Sequence, residues 1–118
     1  MIMQNLMLSF EMLQAVATMC PEGFTIDKNT FEPITSGYSV AVADTQNSFD
    51  NAGCARVVAY AAKHNEVNAL GGWYNSENGK YYYDAVIVCE DLHEAIALGK
   101  AHGQIAIFDL NNMVEIRL

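Results

Sequence analysis

The chain is poor in positive charge, and this scarcity excludes several classes of partner. Its 118 residues include six Lys and Arg against fourteen Asp and Glu, which gives a formal net charge of −8. The basic residues stand singly along the sequence, so no run of them can neutralise neighbouring phosphates. We therefore expect no direct binding of nucleic acid and no docking on an anionic membrane, while the negative charge favours solubility.

Cysteine is scarce as well, and its spacing excludes two kinds of site. Cys20, Cys54 and Cys89 are widely separated and odd in number, which matches neither a disulfide framework nor the paired ligands of a zinc site. His93-Glu94 begins like the zinc-protease helix motif, but Ala97 stands where the second His would be. We expect free, mostly buried thiols, no metal site, no cofactor and a cytoplasmic location.

Long apolar runs and early positive charges are both missing. No Lys or Arg precedes Lys28, and polar residues interrupt the apolar N-terminal segment, so we expect no secretory signal. The longest apolar run is far too short for a membrane span. Apolar residues recur at helical spacing from Leu6 to Ala17, which predicts an amphipathic helix over residues 1–20.

The strongest local signal present is a hairpin. Asn78-Gly79 can adopt the positive φ angles of a tight turn, and apolar or aromatic runs flank it, which predicts strands over residues 69–75 and 80–89. The second strand is apolar on both of its faces. We therefore expect the second face of the sheet to be covered as well, either by the N-terminal helix or by a homodimer partner.

Two helices are predicted around this hairpin. Asp50 or Asn51 is the expected N-cap of the first, which ends near residue 64. Asp91 and Glu94 form a capping-box pattern at the start of the second, and Gly103 marks its end. The apolar residues of the first helix recur at helical spacing and form its expected core face: Cys54, Val57, Val58, Ala61 and Ala62.

The remaining strands complete a recognisable order. Residues 24–27 and 30–34 predict a short N-terminal hairpin, with Pro33 confining the second arm to an edge. Further strands are predicted over residues 38–44, 105–110 and 114–118. We therefore predict a single α+β domain with a ferredoxin-like βαββαβ core over residues 38–110 and an antiparallel sheet. The N-terminal helix, the short hairpin and the C-terminal edge strand are expected additions to this core.

Polar and aromatic side chains outside the predicted core patterns are candidates for binding. A polar loop connects the first core strand to its helix, although such residues serve equally well in turns and caps. The aromatic group near the hairpin could form interface anchors or core. The candidate ligand- or partner-binding residues are Thr45, Gln46, Asn47, Ser48, Trp73, Tyr74, Tyr82 and Asp84. No pattern predicts a catalytic residue, and we lean against an enzyme.

Asp84 is the most unusual of these candidates, because it interrupts an otherwise apolar strand. A buried carboxylate needs a partner, and Lys80 or a tyrosine hydroxyl on a neighbouring strand is the candidate. The alternative is a solvated Asp at a sheet edge.

Several segments together resemble a group of small uncharacterised domains of phage and conjugative-element proteins. The signature consists of Thr45-Gln46-Asn47-Ser48-Phe49, Gly71-Gly72-Trp73-Tyr74 and Gln104-Ile105-Ala106-Ile107-Phe108-Asp109-Leu110. The resemblance covers about residues 37–118. These domains have no known activity, so the resemblance implies a mobile-element setting and assigns no residue a role.

Two classes of function remain. The first is a non-enzymatic protein-interaction or accessory protein of a bacterial mobile element or phage, whose acidity would also suit a nucleic-acid mimic. The second is a small-molecule-binding domain or unassigned enzyme that uses the 45–48 loop and the Gly72–Tyr74 strand. We favour the first class, with a protein partner. Mimicry requires carboxylates along one face, whereas a ligand site requires a concave pocket with convergent polar groups.

Overall fold

The computed structural model describes the backbone of residues 2–118 and the side chains of residues 6–118, so Met1 of the predicted first helix lies outside it. The helices are α1 (Ile2–Met19), α2 (Asp50–Lys63) and α3 (Leu92–Ala101). The strands are β1 (Gly23–Asp27), β2 (Tyr38–Ala41), β3 (Ser48–Phe49), β4 (Ala69–Asn75), β5 (Lys80–Cys89), β6 (Ala106–Asp109) and β7 (Val114–Arg117). The predicted α+β class is confirmed.

All of these strands join one seven-stranded antiparallel sheet. Its order is β1-β4-β5-β2-β6-β7, and the short β3 pairs with β5 beyond the end of β2. The order of the whole sheet differs from that of a ferredoxin-like sheet, because β1 extends one edge beside β4 and β7 extends the other beside β6. The long strand β5 is the centre of the sheet and pairs with three strands.

The helices pack on one face of this sheet, which we call the helix face. Alternate residues of β5, from Tyr83 through Ala85 to Cys89, point towards the helices because side chains alternate along a strand. Leu13 of α1 and Val57 of α2 are fully buried in the larger core cluster, and Ala95 of α3 is fully buried in the smaller one. The core therefore lies entirely between the helices and the odd-numbered residues of β5.

The predicted cover of the second sheet face is wrong for the N-terminal helix. Helix α1 packs against α2 and β1 on the helix face, with Leu13 buried and Phe10 partly buried in the core there. Of its described residues, only Val16 and Met19 at the C-terminal end reach the border of the opposite face, which carries the even-numbered residues of β5. We call that opposite side the open face.

The N-terminal hairpin is also only half formed. Residues 30–34 are not a strand; Ile26 and Pro33 form an isolated bridge, and the Ile34 N–H donates to the Thr25 carbonyl. Pro33 lacks an N–H for a ladder, and Phe31 has a φ of 63°, so the segment cannot continue a regular pairing. Strand β2 ends at Ala41 instead of residue 44, because the chain turns into a 3-10 turn over Ala43–Thr45.

The two predicted helix starts have different outcomes. The N-cap of α2 is Phe49, without a side-chain hydrogen bond, so the predicted capping by Asp50 or Asn51 is wrong. Asp50 has a φ of 56° and belongs to the first turn of the helix. The Asp91 carboxylate caps α3 by accepting a hydrogen bond from the His93 N–H, as predicted. Of the predicted α2 core face, only Ala62 is exposed.

Candidate functional site

The open face forms a broad concavity of about 1240 Å³. Its floor consists of side chains that point away from the helices, including Thr25 of β1, Tyr82 of β5, Ala41 of β2 and Phe108 of β6. A floor of this kind follows from the antiparallel register, which places residues of the same parity on the same face across neighbouring strands. Among the described residues of the helices, only Val16 and Met19 at the C-terminal end of α1 line it, and most of the floor is not covered by a helix.

The connection from β1 to β2 forms one wall of the concavity. Because β4 and β5 separate these two strands in the sheet, residues 28–37 must cross from one side to the other. Pro33, Ile34 and Thr35 line the concavity, and Gly37 lies against the Val88 side chain of the open face. This crossing explains why Val86, on the open face, is only 3% exposed.

An aromatic stack stands on the floor. Trp73 and Tyr82 are directly opposed on β4 and β5, and their rings stack with centroids 4.8 Å apart at 16°. Phe49 of β3 is opposed to Tyr82 from the other side and meets it edge-on at 5.5 Å. Trp73 remains 44% exposed, so the aromatic group is a surface feature and not part of the core.

Asp84 lies next to this stack, two residues along β5 from Tyr82, and is half-buried. Its partner across the strands is Gly71, which has no side chain to fill the space beside the carboxylate. Loss of hydration on burial raises the pKa of Asp84 to about 6, and the nearby Trp73 side chain partly offsets this as a hydrogen-bond donor. The alternative of a fully solvated Asp at a sheet edge is therefore wrong.

The predicted partner of Asp84 is also wrong. The Lys80 ammonium lies 3.8 Å from the centre of the Phe49 ring, in a cation–π contact, and forms no ion pair with Asp84. The Tyr82 hydroxyl accepts a hydrogen bond from the Asn78 amide. Within the described residues, an ion pair joins Arg117 to Glu115 at 3.9 Å, and both side chains are well exposed.

The charge of the concavity has a single sign. Its charged lining residues are Glu22, Asp84 and Glu115, and no Lys or Arg among residues 6–118 lines it. Glu115 is partly compensated by Arg117, whereas Asp84 has no basic neighbour. The arrangement therefore favours positively charged groups at the floor.

Thr45 and Ser48, two of the predicted binding residues, serve the fold instead. The Thr45 hydroxyl donates to the Val42 carbonyl at 3.4 Å and accepts from the Ala85 N–H at 3.1 Å. The Ser48 hydroxyl donates to the Thr45 carbonyl at 2.6 Å. Both side chains are buried, so their hydrogen-bonding capacity is used inside the protein.

The other predicted residues separate by face. Gln46 and Asn47 line the concavity together with Trp73, Tyr82 and Asp84, so the structure brings these five together. Tyr74 follows Trp73 on β4 and therefore points to the opposite side of the sheet, where it is 50% exposed.

Sequence reasoning missed the wall and the gap beside Asp84. The wall residues around Ile34 carry no motif, since their position depends on the path of a connection between distant strands. Gly71 did carry a signal, because a glycine inside a strand marks a place where space is needed. An added Cβ there would lie 3.2 Å from Val86 Cγ2 and 4.0 Å from Asp84 Cβ.

A second polar group lies outside the concavity. The Tyr60 hydroxyl donates to the Asp44 carboxylate at 3.0 Å, and the His64 ring stacks on Tyr60 at 3.7 Å. Partial burial, followed by the Asp44 hydrogen bond, raises the pKa of Tyr60, so its hydroxyl stays protonated at neutral pH. His64 Nδ1 is engaged with the Tyr60 carbonyl, so the group stabilises the end of α2.

No protein-family model, curated protein or solved structure matches the chain. The function must therefore be argued from the geometry of the open face. Across the described residues, no group of three or more His, Cys, Asp or Glu is arranged to hold a metal ion. None of the described helices is both long and apolar enough to cross a membrane.

Proposed function

We propose that this protein is a non-enzymatic interaction protein that binds a protein partner on the open face of its sheet. The observation that carries this proposal is an uncovered, concave sheet face with an exposed aromatic stack on its floor. Exposed Trp and Tyr side chains are enriched in protein interfaces, because they bury a large area at low entropic cost. The charged residues of the lining are Glu22, Asp84 and Glu115, so the partner presents a basic surface to the concavity.

The size of the concavity favours a protein partner over a small molecule. Ligand pockets enclose about 300–1,000 Å³ and bury most of their ligand. The concavity of about 1240 Å³ is larger, and it extends across the sheet from β1 to β7 instead of converging on one point. A small-molecule site or an enzyme site using the 45–48 loop is less favoured, because Thr45 and Ser48 are occupied internally.

A nucleic-acid mimic is less favoured for a different reason. Duplex DNA presents one negative charge per about 1.7 Å of its axis. The lining of the concavity carries Glu22, Asp84 and Glu115 across a floor six strands wide, which is a much lower density of negative charge. The role as an accessory protein of a mobile element or phage is supported by the resemblance of residues 37–118.

We also infer that the inner part of the sheet is a ferredoxin-like core. The order β4-β5-β2-β6, with antiparallel pairing throughout and with α2 and α3 on one face, supports this inference. Helix α1 and strands β1, β3 and β7 are then additions, of which β1 and β7 widen the floor of the concavity.

A matched pair of substitutions tests the binding face. Peptides are selected from a random displayed library on the immobilised wild-type protein, and their affinities are then measured for Ala41→Arg and Ala55→Arg. Ala41 lies on the floor of the concavity, whereas Ala55 is exposed on α2. Both variants gain the same side chain and the same charge, so only the location differs.

We expect the selected peptides to bind Ala55→Arg as they bind the wild type, and to bind Ala41→Arg at least about tenfold more weakly. Both variants are first compared with the wild type by circular dichroism and thermal unfolding. Equal binding to the two variants would place the binding surface elsewhere, and a selection that enriches no peptide would also count against the proposal.

A further inference from the structure

The corner of the open face around Asp84 combines a carboxylate with an aromatic ring, as a cation-binding site does, but among the described residues it contains no positively charged side chain of its own. Asp84 is half-buried and forms no ion pair, and the Trp73 side chain, as a hydrogen-bond donor, offsets only part of the cost of removing the carboxylate from water. Burial raises its pKa to about 6, so the group is still mainly ionised at neutral pH. A charge of this kind is stabilised when a partner supplies the missing positive group.

Next to this carboxylate is an aromatic surface. One face of the Trp73 ring is covered by Tyr82 at 4.8 Å, and 44% of the residue remains exposed. The electron-rich face of an indole attracts cations within about 6 Å of its centre. The stacked Tyr82 and the edge contact from Phe49 hold the ring in place, so its position is fixed before a ligand arrives.

The space beside the Asp84 carboxylate is open because position 71 is a glycine. Gly71 lies opposite Asp84 and beside Trp73 on β4, and a side chain there would come within 4.0 Å of the Asp84 Cβ. Lys80, the nearest basic residue on the same face of β5, is engaged over Phe49. The other titratable residues of the concavity, Cys20, Glu22, Tyr82 and Glu115, supply no positive charge.

We propose that Asp84 and Trp73 form a receptor for one arginine side chain of the protein partner, with its guanidinium paired to the Asp84 carboxylate and stacked on the Trp73 ring. The proposal rests on the proposed protein-binding function and specifies its anchor. Arginine fits better than lysine because its planar guanidinium both forks onto a carboxylate and stacks on an aromatic face. Charge complementarity decides the partner, since the concavity has acidic groups but no basic ones among the described residues.

The test uses the single tryptophan of the chain as its reporter, because its indole N–H gives one signal in a ¹⁵N-labelled protein. The probe is the blocked tripeptide acetyl-Gly-Arg-Gly-amide, titrated at pH 7.5. The control peptide carries citrulline, which has nearly the same shape as arginine but no charge. We expect a saturable shift of the Trp73 indole signal and of the residue 71 and 84 amide signals with the arginine peptide alone.

Two variants with equal charge changes locate the interaction. Asp84→Asn should weaken binding of the arginine peptide about tenfold, since it removes a charge-assisted hydrogen bond. Glu115→Gln, which removes a carboxylate from the edge of the same concavity, should leave the affinity within about twofold. Spectra of both free variants establish that the fold is retained.

Three results would overturn the receptor. These are equal shifts with arginine and citrulline, equal losses in Asp84→Asn and Glu115→Gln, or shifts that map to the helix face. Displayed peptides that depend on Ala41 but are indifferent to Asp84→Asn would overturn the arginine receptor while supporting the open face as a protein-binding surface. Arginine binding at Asp84 without any selected peptide on the face would support the receptor chemistry and count against the broader function.

Discussion

The two faces of the sheet are built from the same strands but differ in how their polar side chains are paired. On the helix face, polar groups are satisfied internally: Thr45 and Ser48 are buried and fully hydrogen-bonded, and Asp109 is held by the turn that follows it. On the open face, Asp84 lacks an ion pair and Trp73 is largely exposed. The comparison shows that the helix face stabilises the fold, whereas the open face retains a carboxylate without an ion pair and an exposed aromatic side chain, which is typical of surfaces that bind.

The strand β5 makes this difference clear. Its residues are apolar on both parities, which predicted that both faces would be covered. The odd-numbered residues are indeed core, but Tyr82 and Asp84 line an open concavity. Apolar residues on both sides of a strand therefore indicate either burial or a binding surface, and the isolated carboxylate distinguishes the second case.

The largest effect is expected where the helix face has no room at all. An added Cβ at Gly53 of α2 would lie 2.2 Å from the Ser48 carbonyl carbon, a backbone atom that cannot move aside. We expect Gly53→Ala to lower the free energy of unfolding by about 3 kcal/mol or more, despite the better helix propensity of alanine. Urea unfolding followed by circular dichroism measures this.

Gly99→Ala in α3 is the matched control. There the added Cβ would meet side-chain atoms and no backbone, Leu118 Cδ1 at 2.7 Å and Ile107 Cγ2 at 2.8 Å. A smaller loss is expected because side chains can shift, and alanine gains about 1 kcal/mol in helix propensity. Equal losses in the two variants would contradict the tight α2 contact.

The second-largest effect is expected in the 45–48 loop, where buried residues support the fold and exposed residues do not. Thr45→Val keeps the shape but removes the acceptor of the buried Ala85 N–H. We expect it to lower the free energy of unfolding by about 2–3 kcal/mol, because a buried donor is left without a partner. Gln46→Ala, at an exposed position of the same loop, should change stability by less than about 0.5 kcal/mol. Thermal unfolding of both variants tests this difference. Similar losses of stability in the two variants would contradict a structural role for Thr45 that Gln46 does not share.

The third-largest effect concerns Asp84, whose contribution to stability is expected to fall as pH rises. Because the folded pKa of Asp84 is raised to about 6, the folded protein binds a proton that the unfolded chain has already lost between about pH 4 and 6. This contribution to stability is present at low pH and is lost as pH rises through the folded pKa. Asp84→Asn should therefore stabilise the protein by about 1–2 kcal/mol at pH 7.5, and less at pH 4.5.

Asp109 provides the opposite case. Hydrogen bonds from Asn112 and Asn111 lower its pKa, so its contribution is present at neutral pH and is lost on acidification. The two carboxyls thus respond to pH in opposite directions. Unfolding measured against pH for the wild type and for each Asp→Asn variant checks this, and curves of the same sign for both would contradict it.

The smallest effect concerns the rim of the concavity. Met113 has a φ of 56° and is 69% exposed, so a long side chain occupies a left-handed position with little compensating burial. Met113→Asn should raise the free energy of unfolding by about 0.5–1 kcal/mol, because asparagine tolerates this conformation better. A lower melting temperature would mean that the Met113 side chain makes a stabilising contact with the rim.

The sequence predicted local structure better than it predicted long-range placement. The Asn78-Gly79 hairpin, the Asp91 cap and the order of the strands follow from turn chemistry and periodicity, which depend on neighbouring residues. The position of α1 and the crossing of residues 28–37 depend on which surfaces meet, and no local pattern specifies them. The separation of Trp73 and Tyr74 onto different faces does follow from strand alternation, but which of the two faces stays open depends on where the helices pack.

The Thr45 hydroxyl accepts the Ala85 N–H hydrogen bond that the backbone carbonyl of a neighbouring strand would normally accept. Between β2 and β3 the chain leaves the ladder, and this one side chain keeps the adjacent β5 amide satisfied in its absence. The side chains of Gln46 and Asn47 therefore have no role in the ladder and are exposed, so their chemistry can change with little effect on the central strand. Positions 46 and 47 are therefore suitable for introducing new recognition side chains, in the laboratory or in the divergence of related chains.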